Sequence, residues 1–364
     1  MHKIQALNYT VTIGENALSS LAVFLKQKYS ASKIFILVDE NSMNYCLPEL
    51  IIKAEALKNA EIIEISSGED NKNLEICIQL WKVLTELKAD RKSLLINLGG
   101  GVITDMGGFI SSTYKRGIDF INIPTTLLSQ VDASIGGKTG VDLESLKNQV
   151  GLFCNPKAVF IYPGFLKSLS KREILSGYAE VIKHGLIADK TYWELIKKMD
   201  FSNNDSWEKI IYHSVSIKNQ IVNEDPFENN IRQHLNFGHT IGHALESYFM
   251  EDAQNSLLHG EAIAVGMICE AYLSHLKTGL KKEELDEICE YILKLFKPVN
   301  IELTSHHRLM ELMLHDKKNE KNYIHFSLLA SIGSSKHNKK CTSDQIAESL
   351  KYYSLRLAMN KSQN

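Results

Sequence analysis

Long apolar runs are missing from this 364-residue chain; none approaches the roughly 18 residues that a bilayer span needs. The opening MHKIQALNYTVTIGEN has no apolar core of the secretory kind, so no signal peptide is expected. Charge of either sign is not in excess. With 41 Lys and Arg against 43 Asp and Glu, the net charge of −2 gives no reason to expect nucleic acid or an acidic membrane as partner. Paired cysteines are missing too. Cys46, Cys77, Cys154, Cys269, Cys289 and Cys341 are scattered and form no CxxC, which argues against a disulfide frame or a cysteine zinc site and predicts reduced thiols in a cytoplasmic protein. Neither GxGxxG nor GxxxxGK[ST] occurs, so the common dinucleotide fingerprint and the P-loop NTPase are both set aside. Histidine is scarce in the first half: apart from His2, every one of the 13 stands at 184 or later. What remains is ordinary globular composition, 44% hydrophobic and 23% charged, in a chain long enough for two domains.

The apolar pattern changes character along the chain. Up to about residue 163, short apolar runs alternate with helical spacing. Strands are predicted at 4–13, 33–41, 60–66, 93–101, 119–132 (running into a turn) and 157–163. Such alternation predicts an α/β domain built on a Rossmann-like parallel sheet. Ligands of such sheets sit beyond the carboxyl ends of the strands, where Asp39 and Asn41 close the second run. Residues 102–117 have helical spacing, and 133–153 read as a glycine-rich stretch carrying Lys138 and Lys147. After Pro163-Gly164 the spacing is almost all helical, with helices expected at 206–223, 236–249, 260–277, 281–297 and 343–358. The expected division is an α/β domain over 1–170 and a mostly α-helical domain over 171–364.

Several constellations carry chemistry. In HLNFGHTIGHALE, His239 and His243 are four residues apart and so share a helix face; His259 follows after a polar interruption. Neutral imidazoles are common metal ligands, and a catalytic zinc takes three protein ligands with one open position. Gly238, Gly242 and Gly260 adjoin these histidines and allow close approach. In GYAEVIKHG, Glu180 and Lys183 share a face, and Glu180 offers the oxygen of a two-histidine, one-carboxylate set, although a plain surface ion pair reads the same way. Gly99-Gly100-Gly101 follow a strand and open a helix, which suits an anion, with Asp105 one turn in; a tight strand-to-helix turn would look alike. Thr125 and Thr126 end a strand ahead of Asp132. Lys138 among glycines, then Lys147-Asn148, and later Lys218, Arg232 and Asn236 suit an anionic substrate.

Taken in order, LGGGVITDMGGF, TYKRG, IPTTLLSQVDASIGGKTGVD, KNQVGLF, GYAEVIKHGLI, NFGHTIGHALE and LHGEAIAVGM resemble the 3-dehydroquinate synthase family of sugar-phosphate cyclases, over about residues 30–335. The resemblance implies a cytoplasmic homodimer of the shikimate pathway that uses NAD and zinc (or cobalt). It implies conversion of 3-deoxy-D-arabino-heptulosonate 7-phosphate to 3-dehydroquinate and phosphate. The implied course is transient oxidation, phosphate elimination, re-reduction, ring opening and aldol closure, with no net NADH. By resemblance, the metal falls to Glu180, His239 and His259. NAD falls to Asp39, Asn41, Glu69, Lys72, Gly100, Gly101, Asp105, Thr125, Thr126 and Lys147. The substrate falls to Asp132, Lys138, Asn148, Lys183, Lys218, Arg232, Asn236 and His243, with Arg116 reaching a neighbouring subunit's phosphate site. The family's late basic contact has no assigned counterpart in DKKNEKNYIHFSL (316–328), and the loop between His243 and His259 reads as a few residues long. Cyclases acting on sedoheptulose 7-phosphate or glucose 6-phosphate, a metal-dependent polyol dehydrogenase, and a non-catalytic binder are the other readings. Arg232 speaks for a substrate with a carboxylate.

Overall fold

In a computed structural model, residues 1–144, 146–201, 206–250, 256–302, 305–316 and 323–361 are described. The chain divides into two compact units, Met1–Ile174 with Phe201–Asn223, and Leu175–Asp200 with Glu224–Asn364. The stretch carrying Lys218, which the sequence places with the helical half, belongs to the first unit.

The first unit begins with β1 (His2–Gln5), β2 (Thr10–Ile13), α1 (Ala17–Lys28), β3 (Ile34–Asp39), α2 (Glu40–Tyr45), α3 (Leu47–Lys53) and β4 (Glu61–Ile65). It continues with α4 (Leu74–Glu86), β5 (Leu94–Gly99), α5 (Gly101–Thr113), β6 (Asp119–Pro124), β7 (Lys138–Leu143), β8 (Leu146–Phe153) and β9 (Ala158–Ile161). Among the described residues its main sheet has the order β1-β2-β9-β6-β5-β3-β4, parallel from β2 to β4 with β1 antiparallel at the edge. The central strands are apolar on both faces because helices cover both. Ile36 and Val38 of β3 pack with Leu18 and Leu21 of α1 and Leu50 of α3. Phe35 and Leu37 pack on the other side with Leu80 of α4 and Ile103 and Met106 of α5. Each such buried side chain contributes about 1.5–3 kcal/mol relative to an exposed one. β4 lies on one side of β3 and β5 on the other. The strand order therefore reverses at β3/β5, and the carboxyl ends there, Asp39 and Gly99, border the crevice where such sheets bind ligands.

Three local expectations are corrected. The single opening strand is two strands joined by a turn in which the Ala6 N–H donates to the Tyr9 carbonyl at 2.9 Å. The helix expected over 102–117 ends at Thr113, after which Lys115 and Arg116 turn the chain at φ 49° and 68°. The glycine-rich stretch is the hairpin β7–β8, with Gly140 opposite Gly151. The two backbones come so close there that a Cβ on Gly151 would lie 2.4 Å from the Thr139 carbonyl oxygen. The glycines thus hide a strand period that Val141, Val150 and Leu152 carry.

The helices that follow are α6 (Lys171–Ala188), α7 (Lys190–Ile196), α8 (Trp207–Glu224, nearly all of it in the first unit), α9 (His239–Met250), α10 (His259–Lys277), α11 (Lys282–Leu295) and α12 (His306–Asp316). A further hairpin, β10 (Ile324–Ser331) and β11 (Ser334–Cys341), precedes α13 (Ser343–Lys361). The sequence hides this hairpin because SSKHNKKC has no apolar alternation. The α/β fold with a mostly helical second part is as expected. Two glycines of α10 set the geometry of the second unit. A Cβ on Gly266 would stand 2.0 Å from the Gly238 carbonyl oxygen, and one on Gly260 would stand 2.0 Å from that of Ser176. The start of α10 is thereby pressed against both α6 and the entry to α9. No helix of the described residues is long and apolar enough to cross a membrane.

Candidate active site

Within the second unit, residues from three helices converge. Glu180 lies mid-α6 and fully buried, His239 opens α9, and His259 opens α10. One carboxylate oxygen, Glu180 Oε1, is 3.5 Å from His239 Nε2 and 3.6 Å from His259 Nε2. His243 belongs to the same group: its ring centroid is 5.1 Å from that of His239 and 5.8 Å from that of His259. The three imidazoles offer ligand atoms within 4.8 Å of one another. Two ring nitrogens beside one carboxylate oxygen are a donor set of the kind that suits a zinc-type ion, and the three imidazoles are another.

Electrostatics support that use. Burial, and then the neighbouring Lys183 ammonium, hold His239 well below the ordinary imidazole range, so its ring is neutral. Burial also disfavours charge on His259, but Glu246 and Glu180 outweigh it and raise the ring to about 10. A metal would therefore replace a proton at this ring. The Lys183 Nζ, itself buried, pairs with Glu180 Oε2. His239 Nδ1 faces the Phe237 carbonyl oxygen at 3.1 Å, and His259 Nδ1 faces Glu246 Oε2 at 3.2 Å. The entry to α9 is held by buried Glu270 of α10, which accepts the N–H groups of Gly238 at 2.7 Å and Ile241 at 3.1 Å. The sequence reading missed Glu246 and Glu270. Glu246 had a signal, standing two turns after His239 on the same helix; Glu270 had none.

Arg232 is buried on the short 3₁₀ segment Ile231–Asn236, and its Nη1 donates to the Pro226 carbonyl at 2.6 Å. Asn236 Nδ2 donates to Glu228 Oε1 at 2.8 Å.

The first unit gathers another set. Lys72 Nζ, buried, lies 2.7 Å from Asp105 Oδ2 and 2.8 Å from Asn148 Oδ1. Burial opposes its charge, but Asp105 and then Glu69 more than compensate, so the ammonium stays protonated. Lys147 Nζ approaches Glu69 Oε1 at 3.3 Å. Asn148, expected with the substrate residues, thus stands among those expected for the cofactor. Asp142, which the sequence did not single out, ties the cluster together: its N–H donates to the Lys72 carbonyl at 2.8 Å, and its Oδ1 accepts from the Asn148 N–H at 2.7 Å.

Gly100 and Gly101 begin α5 as expected, and the Thr125 N–H donates to the Gly99 carbonyl at 3.0 Å. The Thr126 hydroxyl accepts from the Ser129 N–H at 3.2 Å, and the Asp39 carboxylate caps α2 through the Ser42 N–H at 2.7 Å. Asn41 is exposed on α2. Lys218 on α8 donates to the Asp132 carbonyl at 2.7 Å and its carboxylate at 2.8 Å. Lys138 is the exposed first residue of β7, and Arg116 is exposed beside Asp90, Arg91 and Lys115. Of 316–328, where the late basic contact was sought, 317–322 lie outside the described residues, as do 251–255 of the loop before His259.

Known proteins bear on the whole chain. The family model for the N-terminal part of 3-dehydroquinate synthase matches residues 62–176, and that for its C-terminal part matches 177–319. The 3-dehydroquinate synthase of Parabacteroides distasonis is 44% identical over 347 residues, covering 94% of this chain and 97% of the relative. That of a Sulfurovum species is also 44% identical, over 84% of this chain and 86% of its own length. Among solved structures, a 2-deoxy-scyllo-inosose synthase complexed with carbaglucose-6-phosphate, NAD⁺ and Co²⁺ superposes with a TM-score of 0.84 at 22% identity, covering 96% of this chain and 100% of its own. A 2-epi-5-epi-valiolone synthase from Streptomyces hygroscopicus, with NAD⁺ and Zn²⁺ bound, also gives 0.84, at 24% identity over 98% of this chain and 99% of its own. At that identity these two show the fold alone. With both halves matched by its models and 44% identity running nearly end to end, the chain belongs to the 3-dehydroquinate synthase family.

Proposed function

We propose that this chain makes 3-dehydroquinate and phosphate from 3-deoxy-D-arabino-heptulosonate 7-phosphate, as a cytoplasmic homodimer of the shikimate pathway. The near end-to-end identity to curated 3-dehydroquinate synthases carries the reading. Glu180, His239 and His259 would hold zinc or cobalt, which when bound acidifies substrate hydroxyls. Asp39, Asn41, Glu69, Lys72, Gly100, Gly101, Asp105, Thr125, Thr126 and Lys147 would hold NAD, which supplies a temporary hydride acceptor. Two cyclases of like fold hold NAD⁺ together with Co²⁺ in one and Zn²⁺ in the other, which supports that pair of cofactors.

The chain's own residues bind and orient. Lys138 and His243 hold the phosphate, and His243 can donate a proton to its oxygen as it leaves; Asn148, engaged by Lys72, goes with the cofactor residues. Lys218 and Arg232 hold the carboxylate, and the Asp132 carboxylate, 2.8 Å away, holds the Lys218 ammonium in place. Arg232 enters with its guanidinium already steadied by the Pro226 carbonyl, so little side-chain freedom is lost on binding. Lys183 pairs with Glu180 inside a buried helix, where a carboxylate without such a partner would be costly. The leaving phosphate can take up the proton lost beside the new ketone, so no protein base is assigned to that step.

The test offers the protein, with zinc and catalytic NAD⁺, three substrates separately: the seven-carbon keto acid phosphate, sedoheptulose 7-phosphate and glucose 6-phosphate. Phosphate release and absorbance at 340 nm are followed together. Phosphate release with the first alone and no accumulating NADH is expected. Turnover with sedoheptulose 7-phosphate only, or NADH in proportion to substrate, overturns the reading.

A further inference from the structure

His259 differs from His239 in what orients it. Both rings turn Nε2 toward Glu180 Oε1. Behind His239 stands a neutral acceptor, the Phe237 carbonyl oxygen; behind His259 stands a carboxylate, Glu246 Oε2, at 3.2 Å. Glu246 is only 4% exposed and sits on α9, the helix that His239 opens. A buried carboxylate is costly unless it faces a proton donor, and here it faces the Nδ1 edge of a ring whose Nε2 edge faces the other ligands. An imidazole that gives its Nδ1 proton to an acceptor leaves the Nε2 lone pair outward and its ring fixed. A carboxylate acceptor also makes that lone pair more basic than a carbonyl does.

We infer that Glu246 is a positioning residue of the metal site: its carboxylate accepts the Nδ1–H of His259 and thereby fixes that ligand's tautomer, orientation and donor strength. The inference rests on the reading of Glu180, His239 and His259 as ligands. It separates the two histidines. His239 is oriented by main chain, which no side-chain substitution removes, whereas the orientation of His259 depends on one replaceable group. Glu246 therefore tunes how tightly the metal is held.

The experiment uses the full chain stripped of metal. Zn²⁺ affinity is measured by competition with a chromophoric chelator, and the visible spectrum is recorded with Co²⁺. Wild type is compared with Glu246→Gln, Glu246→Ala and His239→Ala, and the melting temperature of each metal-free form is taken alongside. Zn²⁺ binding about 10-fold weaker in Glu246→Gln and up to about 100-fold weaker in Glu246→Ala is expected, together with an altered Co²⁺ spectrum and a loss of affinity out of proportion to any fall in the metal-free melting temperature. Wild-type affinity in both Glu246 variants overturns the inference. So does a loss of affinity that merely tracks a fall in melting temperature and leaves the Co²⁺ spectrum as in wild type, since that marks a packing role. Wild-type affinity in His239→Ala would instead remove the ligand reading, and the inference with it, which the other arms do not do.

Discussion

Asp225 accepts three backbone N–H groups, from Asn229 at 3.0 Å, Asn230 at 2.7 Å and Arg232 at 3.0 Å. Burial works against its charge, but these donors and the Arg232 guanidinium outweigh it and hold the carboxyl below its usual range. A depressed folded-state pKa contributes stability that is complete above the unfolded value, about 3.9, and lost as pH falls through the folded value. Asp225→Asn should therefore melt lower than wild type at neutral pH by about 2–4 °C, as for a loss of roughly 1 kcal/mol. The gap should close as the pH drops below about 3.9, and melts across a pH series check it. The sequence could not show this residue's role. EDPFENNIR reads as a polar loop, and the three donors meet one carboxylate only once the loop closes. His239, His243 and His259 were legible as convergent because helix spacing and flanking glycines are local facts. Which of their nitrogens face Glu180 was not.

At the scale of elements, the start of α10 carries the site. Its first turn lies so near α6 that Gly260 has no room for a side chain, while the Gly260 N–H donates to Ser176 Oγ at 3.0 Å. Gly260→Ala must push α10 away from a backbone carbonyl that cannot rotate aside. A destabilisation of about 1–3 kcal/mol is expected, read as a lower melting temperature, together with poorer zinc retention on dialysis because His259 moves with the helix. A variant that melts like wild type and keeps its zinc would contradict the close approach. The long helices and central strands were legible because their apolar periods are uninterrupted. Hairpins β7–β8 and β10–β11 were not, the first because cross-strand glycines blank the alternation, the second because β11 is polar on both faces.

The whole molecule is proposed to work as a homodimer with Arg116 serving the partner's phosphate site. Arg116 is exposed on its own chain, at the left-handed turn after α5. If it acts across subunits, Arg116→Ala and Lys138→Ala chains should complement each other. Co-expressed in equal amounts, they form mixed dimers with one intact site, and about a quarter of wild-type activity should return, against near none for either alone. Sedimentation should show two chains per particle; a monomer, or no recovery on mixing, would place Arg116's role within its own chain.

The sequence by itself determined the parallel sheet, the run of helices after it and the family, because apolar period and motif order are properties of neighbouring residues. Tertiary structure alone decided that Glu180 Oε1 faces Nε2 of both His239 and His259, that Glu246 backs one of them, and that Lys218 joins Asp132 in the first unit. Periodicity tells which face of an element a side chain occupies. The meeting of faces tens of residues apart depends on how closely the elements pack, and here glycines without room for a methyl group set that distance.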